Sequence, residues 1–187
     1  MNDMTDEEIA LLVQRGNTDI FELLVDRYEE KMTRYARRFF SNGEDVKDQV
    51  QEVFIKAYVH MKSFNTNRRF SPWLYRVAHN EFMNVLKKKK RDPLLFFDFD
   101  LFFPHPFASQ TADGELHNRE LSQEMEDSLG ILDAKYRDPL ILYYYEDMDY
   151  RAIADILQIP ISTVGVRMQR AKMQLKKIIA SKNTESI

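Results

Sequence analysis

The sequence predicts an all-α fold of two small helical domains joined by an aromatic, acidic linker. Its 187 residues include five glycines and six prolines, too few for a turn-rich β fold. Apolar residues recur at spacings of three and four through most of the chain, which is typical of one face of an amphipathic helix. This periodicity is lost after Arg91, so we predict domains at 1–91 and 119–187 and a linker at 92–118.

Three helices are predicted in the first domain. The first covers residues 17–40 and is stopped by the Ser-Asn-Gly segment at 41–43, and the second covers residues 44–61. Ser71 and Pro72 supply a capping hydroxyl and a first-position proline, so the third helix should begin near Pro72.

The linker has an unusual composition. Six of the thirteen phenylalanines fall in it, together with five acidic side chains by Glu115 and no Lys or Arg. The alternation of Phe97, Phe99, Leu101 and Phe103 would suit a short extended strand.

Helical spacing resumes in the second domain with apolar residues at every third or fourth position. These residues are Leu121, Met125, Leu129 and Leu132. Asp138 and Pro139 then form another pair of cap and first-position proline, which predicts a helix start at that point.

Two further helices, at about 150–157 and 162–179, enclose a tight turn and form a helix-turn-helix pattern, with Ser162 as the cap of the second. The second helix has a polar, cationic stripe of a size that enters a DNA major groove. The stripe consists of Thr163, Arg167, Arg170, Gln174 and Lys177. A plain helical hairpin with a solvated basic face is the alternative interpretation of this feature alone.

One face of the third helix combines an aromatic ring, two amides and two cations, which could stack on unpaired bases and neutralise phosphates. It consists of Trp73, Arg76, Asn80, Asn84 and Lys87, and five consecutive cations, 87–91, adjoin it. Taken separately, Trp73 could instead be a core residue, and the basic run could simply solubilise the helix end.

The outer face of the second helix is acidic and polar. It carries Asp45, Asp48, Gln49, Gln51 and Glu52, with Lys56 as a basic neighbour at helical spacing. Such a face either meets a basic partner surface or is simply solvated.

Several classes of protein are not expected from the composition. The absence of cysteine excludes disulfides and thiolate metal sites. No HExxH motif or glycine-rich phosphate loop occurs, so we expect no enzyme, no metal and no other cofactor. The sequence shows neither a membrane-spanning apolar run nor a signal peptide, so we expect a cytoplasmic protein without membrane insertion.

Three stretches, in this order, resemble the regions of a known family. Residues 45–65 (DVKDQVQEVFIKAYVHMKSFN) and 68–91 (RRFSPWLYRVAHNEFMNVLKKKKR) resemble sigma region 2, and residues 132–177 resemble sigma region 4. Their order and spacing are similar to those of the extracytoplasmic function (ECF) sigma factors of the sigma-70 family. The resemblance implies a monomeric subunit that directs core RNA polymerase to promoter DNA, in a stress or envelope response.

The resemblance implies a role for each surface. The acidic face would dock on the clamp helices of the polymerase β′ subunit through Asp48, Gln51, Glu52, Phe54 and Ile55. The loop at 65–70 and the third helix would open the minus-ten element and read it as a single strand, with a flipped base in a pocket. The contacts expected there are Asn65, Arg68, Arg69, Phe70, Trp73, Arg76, Asn80, Asn84, Lys87 and Lys88.

The helix at Ser162 would read the minus-thirty-five element as duplex. The contacts expected there are Ser162, Thr163, Val166, Arg167, Arg170 and Gln174. The family usually has Val-Lys-Ser-Arg or Val-Lys-Thr-Arg where this chain has Val164-Gly165-Val166-Arg167. With a cation and a hydroxyl missing, fewer phosphate contacts and a shallower salt dependence are expected. The polymerase β flap is a further implied partner.

Two alternatives stay open from the sequence. The acidic side chains of the linker could mimic RNA phosphates in the polymerase channel, or its phenylalanines could pack on the helical domains or bind an anti-sigma factor. For the whole chain, the alternative function is a free-standing helix-turn-helix regulator that binds duplex operators without polymerase.

Overall fold

The computed structural model describes residues 4–91 and 128–185, with side chains for 4–88 and 128–181. All regular secondary structure in these ranges is helical, which confirms the all-α fold class, and the chain divides into two compact units. None of the helices in the described ranges combines the length and apolarity needed to cross a bilayer. The predicted linker with its strand, and the helical positions Leu121 and Met125, lie outside the described residues.

The first unit contains four α-helices and two short 3-10 turns. The helices are α1 (Asp6–Gln14), α2 (Glu22–Ala36), α3 (Gly43–His60) and α4 (Phe70–Arg91), and the 3-10 turns are Asp19–Phe21 and Met61–Ser63. In the second unit a short helical stretch, 128–131, precedes α5 (Ala134–Tyr144), α6 (Tyr150–Leu157) and α7 (Ile161–Glu185).

Buried aromatic rings join α2 to α4 in the centre of the first unit. The ring centroid of Tyr35 lies 5.2 Å from that of Tyr75 and 5.7 Å from that of Phe82, and Phe39 lies 5.4 Å from Phe82. The Tyr35 hydroxyl is also 3.0 Å from Nδ1 of the buried His79. Since each buried aromatic side chain stabilises the fold by about 1.5–3 kcal/mol, this cluster fixes α4 against α2.

Helix α1 precedes the first predicted helix and was not expected from periodicity. A capping box begins it: the Thr5 hydroxyl accepts from the Glu8 backbone N–H at 3.2 Å, and the Glu8 carboxylate accepts from the Thr5 backbone N–H at 2.8 Å. Threonine followed by glutamate three positions later is a start signal that the sequence contains. The helix buries Ile9 and Ala10 completely.

Acidic side chains of α1 bind two other helices. Asp6 accepts hydrogen bonds from Arg27 at 2.7 Å and from the Tyr28 hydroxyl at 2.5 Å. Burial and this hydrogen bond raise the pKa of Tyr28 well above its ordinary value, so the phenol stays neutral. Glu7 Oε1 accepts from the backbone N–H of Phe70 at 2.8 Å, which caps the start of α4.

The amide of Gln14, the last residue of α1, holds the segment that precedes α4. Its Nε2 donates to the backbone carbonyl of Met61 at 2.9 Å and to that of Phe64 at 2.7 Å. Both carbonyls lie where the chain leaves α3. The Met61 carbonyl also accepts from the backbone N–H of Phe64 at 3.0 Å, so Gln14 is its second donor, whereas for the Phe64 carbonyl Gln14 supplies a donor from outside the helices α3 and α4.

The predicted helix at 17–40 is shorter in the structure. It begins with the 3-10 turn at Asp19–Phe21, and α2 ends at Ala36. The segment 41–43 starts the next helix rather than stopping this one, because the Asn42 side chain accepts from the Glu44 backbone N–H at 3.0 Å.

The third predicted helix starts two residues before the predicted site. Ser71 is not its cap, because Glu7 of α1 caps the helix from outside at Phe70. Pro72 occupies the third helical position, where a missing N–H costs nothing because the first four N–H groups of a helix have no intrahelical partner.

Asp138 and Pro139 do not begin a helix. Asp133 is the cap of α5, accepting from the backbone N–H of Lys135 at 3.0 Å, and Asp138 and Pro139 are buried within the helix that follows. An earlier cap therefore overrides the local Asp-Pro signal.

Ser162 is likewise not a cap. The carbonyl of Pro160 accepts from the backbone N–H groups of Thr163 at 2.9 Å and Val164 at 3.2 Å, so α7 begins at Ile161 and places Ser162 in its first turn. The helix also extends to Glu185, beyond the predicted end at 179.

We expect Gln14→Ala to lower the free energy of unfolding by about 1–3 kcal/mol, because it removes the side-chain donor to the Phe64 carbonyl and one of the two donors to the Met61 carbonyl. Urea denaturation followed by circular dichroism measures the change, with the exposed Gln51→Ala on α3 as the matched control. Equal midpoints for the two variants would show that the amide bridge is not needed.

Candidate nucleic-acid interface

The loop between α3 and α4 has a defined turn. The Asn65 side chain accepts from the backbone N–H of Asn67 at 3.0 Å, and its backbone carbonyl accepts from that of Arg68 at 2.9 Å. Phe64 anchors the turn in the core, while Asn65, Arg68 and Arg69 are exposed. The turn therefore presents two guanidinium groups and an amide to solvent.

Trp73 lies at the junction of this loop and α4 and is partly exposed. Its ring centroid is 5.0 Å from Phe64 and 5.4 Å from Phe70, both at tilted angles, and Phe70 in turn packs edge-on against Tyr28. One side of the Trp73 ring therefore joins the core, as the core interpretation predicts, and the rest of the ring stays accessible.

Phe70 differs from the other residues predicted to contact the minus-ten element. It is 1% exposed, so it supports Trp73 from beneath and does not itself reach the surface. The hydrogen bond from the Phe70 backbone N–H to Glu7 of α1, a residue distant in the sequence, holds the start of α4 against the core.

The remaining predicted residues of α4 form one accessible face. Arg76 is partly exposed, and Asn80, Asn84, Lys87 and Lys88 are exposed. From Trp73 to Lys87 the face is about 21 Å long at 1.5 Å per helical residue. The structure therefore brings together a ring, amides and cations in a row along α4, as the sequence predicted.

A concavity of about 360 Å³ lies beside this face, between α3 and α4. It is lined by Lys56, Glu81, Asn84, Lys87 and Lys88. Lys56 forms ion pairs with Glu81 and, at 3.5 Å, with Glu52. The hydrogen bond to Glu81 raises the pKa of Lys56, which keeps its charge in the pairs.

The predicted docking face on α3 is accessible except at one position. Asp48 and Gln51 are exposed, Glu52 is partly exposed and Ile55 is 50% exposed. Phe54, by contrast, is 8% exposed and belongs to the core.

Two apolar residues extend this face and were missed. Tyr58 is 43% exposed and Val59 is 66% exposed, next to Ile55. The ring of Tyr58 packs edge-on at 5.3 Å against Phe21 and remains partly accessible. The signal was present in the sequence, because Ile55 and Val59 are four residues apart and off the buried stripe.

The second unit contains the predicted helix-turn-helix, α6 followed by α7. Asp149 caps α6 by accepting from the backbone N–H of Ala152 at 2.7 Å, and Gln158 makes the turn with φ of 54°. Ile153 of α6 and Val164 of α7 are fully buried. The turn and the shared core thus place the N-terminal part of α7 at the surface.

The outward face of α7 carries the predicted duplex contacts. Ser162, Val166, Arg170 and Gln174 are exposed, and Thr163 and Arg167 are partly exposed. Val164, Met168 and Ala171 are buried on the opposite side, with at most 1% of each exposed. The accessible face combines cations, hydroxyls and an amide, as expected, with one apolar side chain at 48% exposure, Val166.

Gly165 is not required by packing. A Cβ atom built there meets only the Tyr150 ring edge, at 4.0 Å, which is an ordinary van der Waals distance. The departure from the family pattern at this position is therefore not imposed by the surrounding structure.

An apolar groove of about 530 Å³ lies elsewhere in the second unit, lined among others by Leu129, Leu140, Tyr144, Leu175 and Ile179. The Lys172 ammonium lies 5.6 Å from the centroid of the Tyr144 ring at its rim. Among the described residues, no cluster of His, Asp or Glu could hold a metal ion.

Comparison with known proteins identifies both units. Residues 24–92 match the family model for Sigma-70 region 2, and residues 122–175 match that for Sigma-70, region 4. The ECF RNA polymerase sigma factor SigW of Bacillus subtilis is 34% identical over 173 residues, covering 88% of this chain and 91% of the relative. The ECF RNA polymerase sigma-E factor of Escherichia coli K12 is 35% identical over 176 residues, covering 90% and 91%.

A solved structure has a similar fold. It is the sigma factor RpoE of Bartonella quintana in complex with the anti-sigma factor NepR, with a TM-score of 0.66, 24% identity, and coverage of 86% of this chain and 96% of that chain. The two family matches together cover more than half of the chain, and the relatives align with most of it. The chain therefore belongs to the ECF RNA polymerase sigma factors of the sigma-70 family.

Proposed function

We propose that this chain binds core RNA polymerase and directs it to specific promoters, where the polymerase performs the chemistry and the chain itself catalyses nothing. One observation carries the proposal: a single chain has two accessible surfaces of different chemistry. Trp73 with the amides of α4 suits unpaired bases, and the basic face of α7 suits a duplex. A regulator that binds only duplex operators would not need the first surface.

The proposed division of labour follows the two units. Residues 1–91 dock on the polymerase and read the minus-ten element, residues 119–187 read the minus-thirty-five element, and residues 92–118 link them. The apolar groove of the second unit suits an apolar segment such as the polymerase β flap. An anti-sigma factor is a further proposed partner, and the cytoplasm, where polymerase acts, is the proposed location.

The docking surface combines charge with apolar area. Asp48 and Glu52 can meet the basic side of the β′ clamp helices, while Ile55 and Val59 offer exposed apolar surface beside them. A solvated face needs no such exposed apolar pair, so this combination favours a protein partner.

We expect Asp48→Arg/Glu52→Arg to weaken binding to core polymerase at least tenfold, since two attractive charges become repulsive ones. Run-off transcription from a promoter upstream of this protein's own gene, with bacterial core polymerase, should then give no transcript. The matched control is Glu29→Arg/Glu30→Arg, which makes the same charge change at exposed positions of α2 and should remain active.

Either of two outcomes would contradict this proposal. If the double variant transcribes as well as the wild type, the docking face is elsewhere. If the wild-type chain never recruits core polymerase but shifts duplex DNA alone, the chain is a free-standing regulator.

The single-strand surface depends on amides that the core does not need. We expect Asn80→Ala/Asn84→Ala to reduce open-complex formation about tenfold, since each lost hydrogen bond to a base is worth roughly 0.5–1.5 kcal/mol. Permanganate reactivity of promoter thymines measures the opening, and core binding should stay unchanged. Asn17→Ala, at an exposed position outside this face, is the control. If Asn80→Ala/Asn84→Ala opens the promoter as well as Asn17→Ala does, these two amides do not contact the promoter bases.

The proposed duplex surface lacks a cation at Gly165, where an added Cβ atom would meet only the Tyr150 ring, at 4.0 Å. We expect Gly165→Lys to steepen the dependence of log K on log salt for promoter binding by about 0.9, the contribution of one further phosphate contact. Gly165→Ala is the matched control, because it gains about 1 kcal/mol of helix propensity without adding charge. Filter binding of the holoenzyme over a salt series measures both slopes. Identical slopes for Lys and Ala would show that position 165 does not approach a phosphate.

A further inference from the structure

The outward face of α7 carries an apolar side chain, Val166, among polar neighbours. Val166 is 48% exposed, and the residues one turn before and after it, Ser162 and Arg170, are also exposed. The buried stripe, which includes Val164 and Met168, lies on the opposite side of the helix. Val166 therefore points away from the buried stripe, and about half of its surface is accessible to a ligand.

The position of Val166 in the motif decides what it can meet. It is the sixth residue of α7, and in a helix-turn-helix the N-terminal part of the second helix contacts base edges. In the major groove the bases offer hydrogen-bond donors and acceptors and one apolar group, the C5-methyl of thymine. An isopropyl group in that groove can pair favourably only with this methyl group.

Two local features suit such a contact. Valine has essentially one χ1 rotamer in a helix, so its methyl groups are held in place before binding. The preceding residue is Gly165, which places no side chain next to the isopropyl group. An isolated exposed valine is common on protein surfaces, and what distinguishes this one is its place at the centre of a DNA-facing stripe.

We propose that Val166 contacts the methyl group of a thymine in the minus-thirty-five duplex and so selects thymine at that base pair. This inference rests on the proposed function, since it requires that α7 lie in the promoter major groove. Arg167 and Arg170 then provide the phosphate and base-edge hydrogen bonds, and Val166 provides discrimination by apolar contact.

Promoters with single deoxyuridine substitutions test this, because deoxyuridine differs from thymidine in these positions only by the missing methyl group. Each thymine of the minus-thirty-five element, on either strand, is replaced in turn, and holoenzyme affinity is measured by filter binding. At one or two positions the wild-type holoenzyme should lose about fourfold in affinity, the effect of one buried methyl group. Val166→Ala should abolish this loss at the same positions, and Val166→Thr, which keeps one γ-methyl, should restore part of it.

Met173→Ala is the matched control, since Met173 is 57% exposed on the same helix but two turns further from its N-terminus. This variant should keep the wild-type response to deoxyuridine. The inference is overturned if no thymine position responds in the wild type, if the response is the same in Val166→Ala, or if the element contains no thymine. Failure of the proposed function is distinguishable from these results, because the holoenzyme would then give no promoter-specific transcript even with unmodified DNA.

Discussion

The first unit depends on how α1 holds the segment that joins α3 to α4. Gln14 satisfies the carbonyls of Met61 and Phe64, and Glu7 satisfies the first N–H of α4. These are backbone groups at helix ends, which cost about 1–3 kcal/mol each if buried without a partner. Without α1, the loop would have to rearrange to find other donors, and Phe64 would lose its fixed position under Trp73.

The accessible surfaces follow from this constraint. Phe64 and Phe70 pack against each other and against the Trp73 ring, so the ring is held in place, and under the proposed function little side-chain entropy would remain to be lost when a base stacks on it. The Arg68 and Arg69 side chains leave the same turn toward solvent. The reading surface is therefore built on residues that look like core residues in the sequence, which is why Trp73 supports both interpretations.

Sequence periodicity was sufficient to predict the helices α3 and α6, whose buried stripes are long or sharply amphipathic. It was also sufficient to predict which side chains share the accessible face of α4. Three helix starts could not be obtained in this way. The cap of α4 is Glu7, sixty-three residues away in the chain, and no local pattern shows it. The Asp138-Pro139 pair predicted a helix start, but the helix is capped earlier, at Asp133. Ser162 was predicted as a cap, but the Pro160 carbonyl accepts the first hydrogen bonds of that helix. The burial of Phe70 was missed for a related reason, since the resemblance of a stretch to a family motif does not tell which of its side chains are exposed.

The ion pairs of Lys56 connect the two proposed functions of the first unit. Glu52 belongs to the docking face on α3, and Glu81 lies on α4 between Asn80 and Asn84. Glu52 and Lys56 both lie on α3, so of these two ion pairs it is Lys56–Glu81 that joins α3 to α4, and partly exposed ion pairs of this kind add little to stability. Under the proposed function, the docking face and the promoter-reading face lie on two helices that pack against each other, so attachment of α3 to the polymerase would also position the amides of α4.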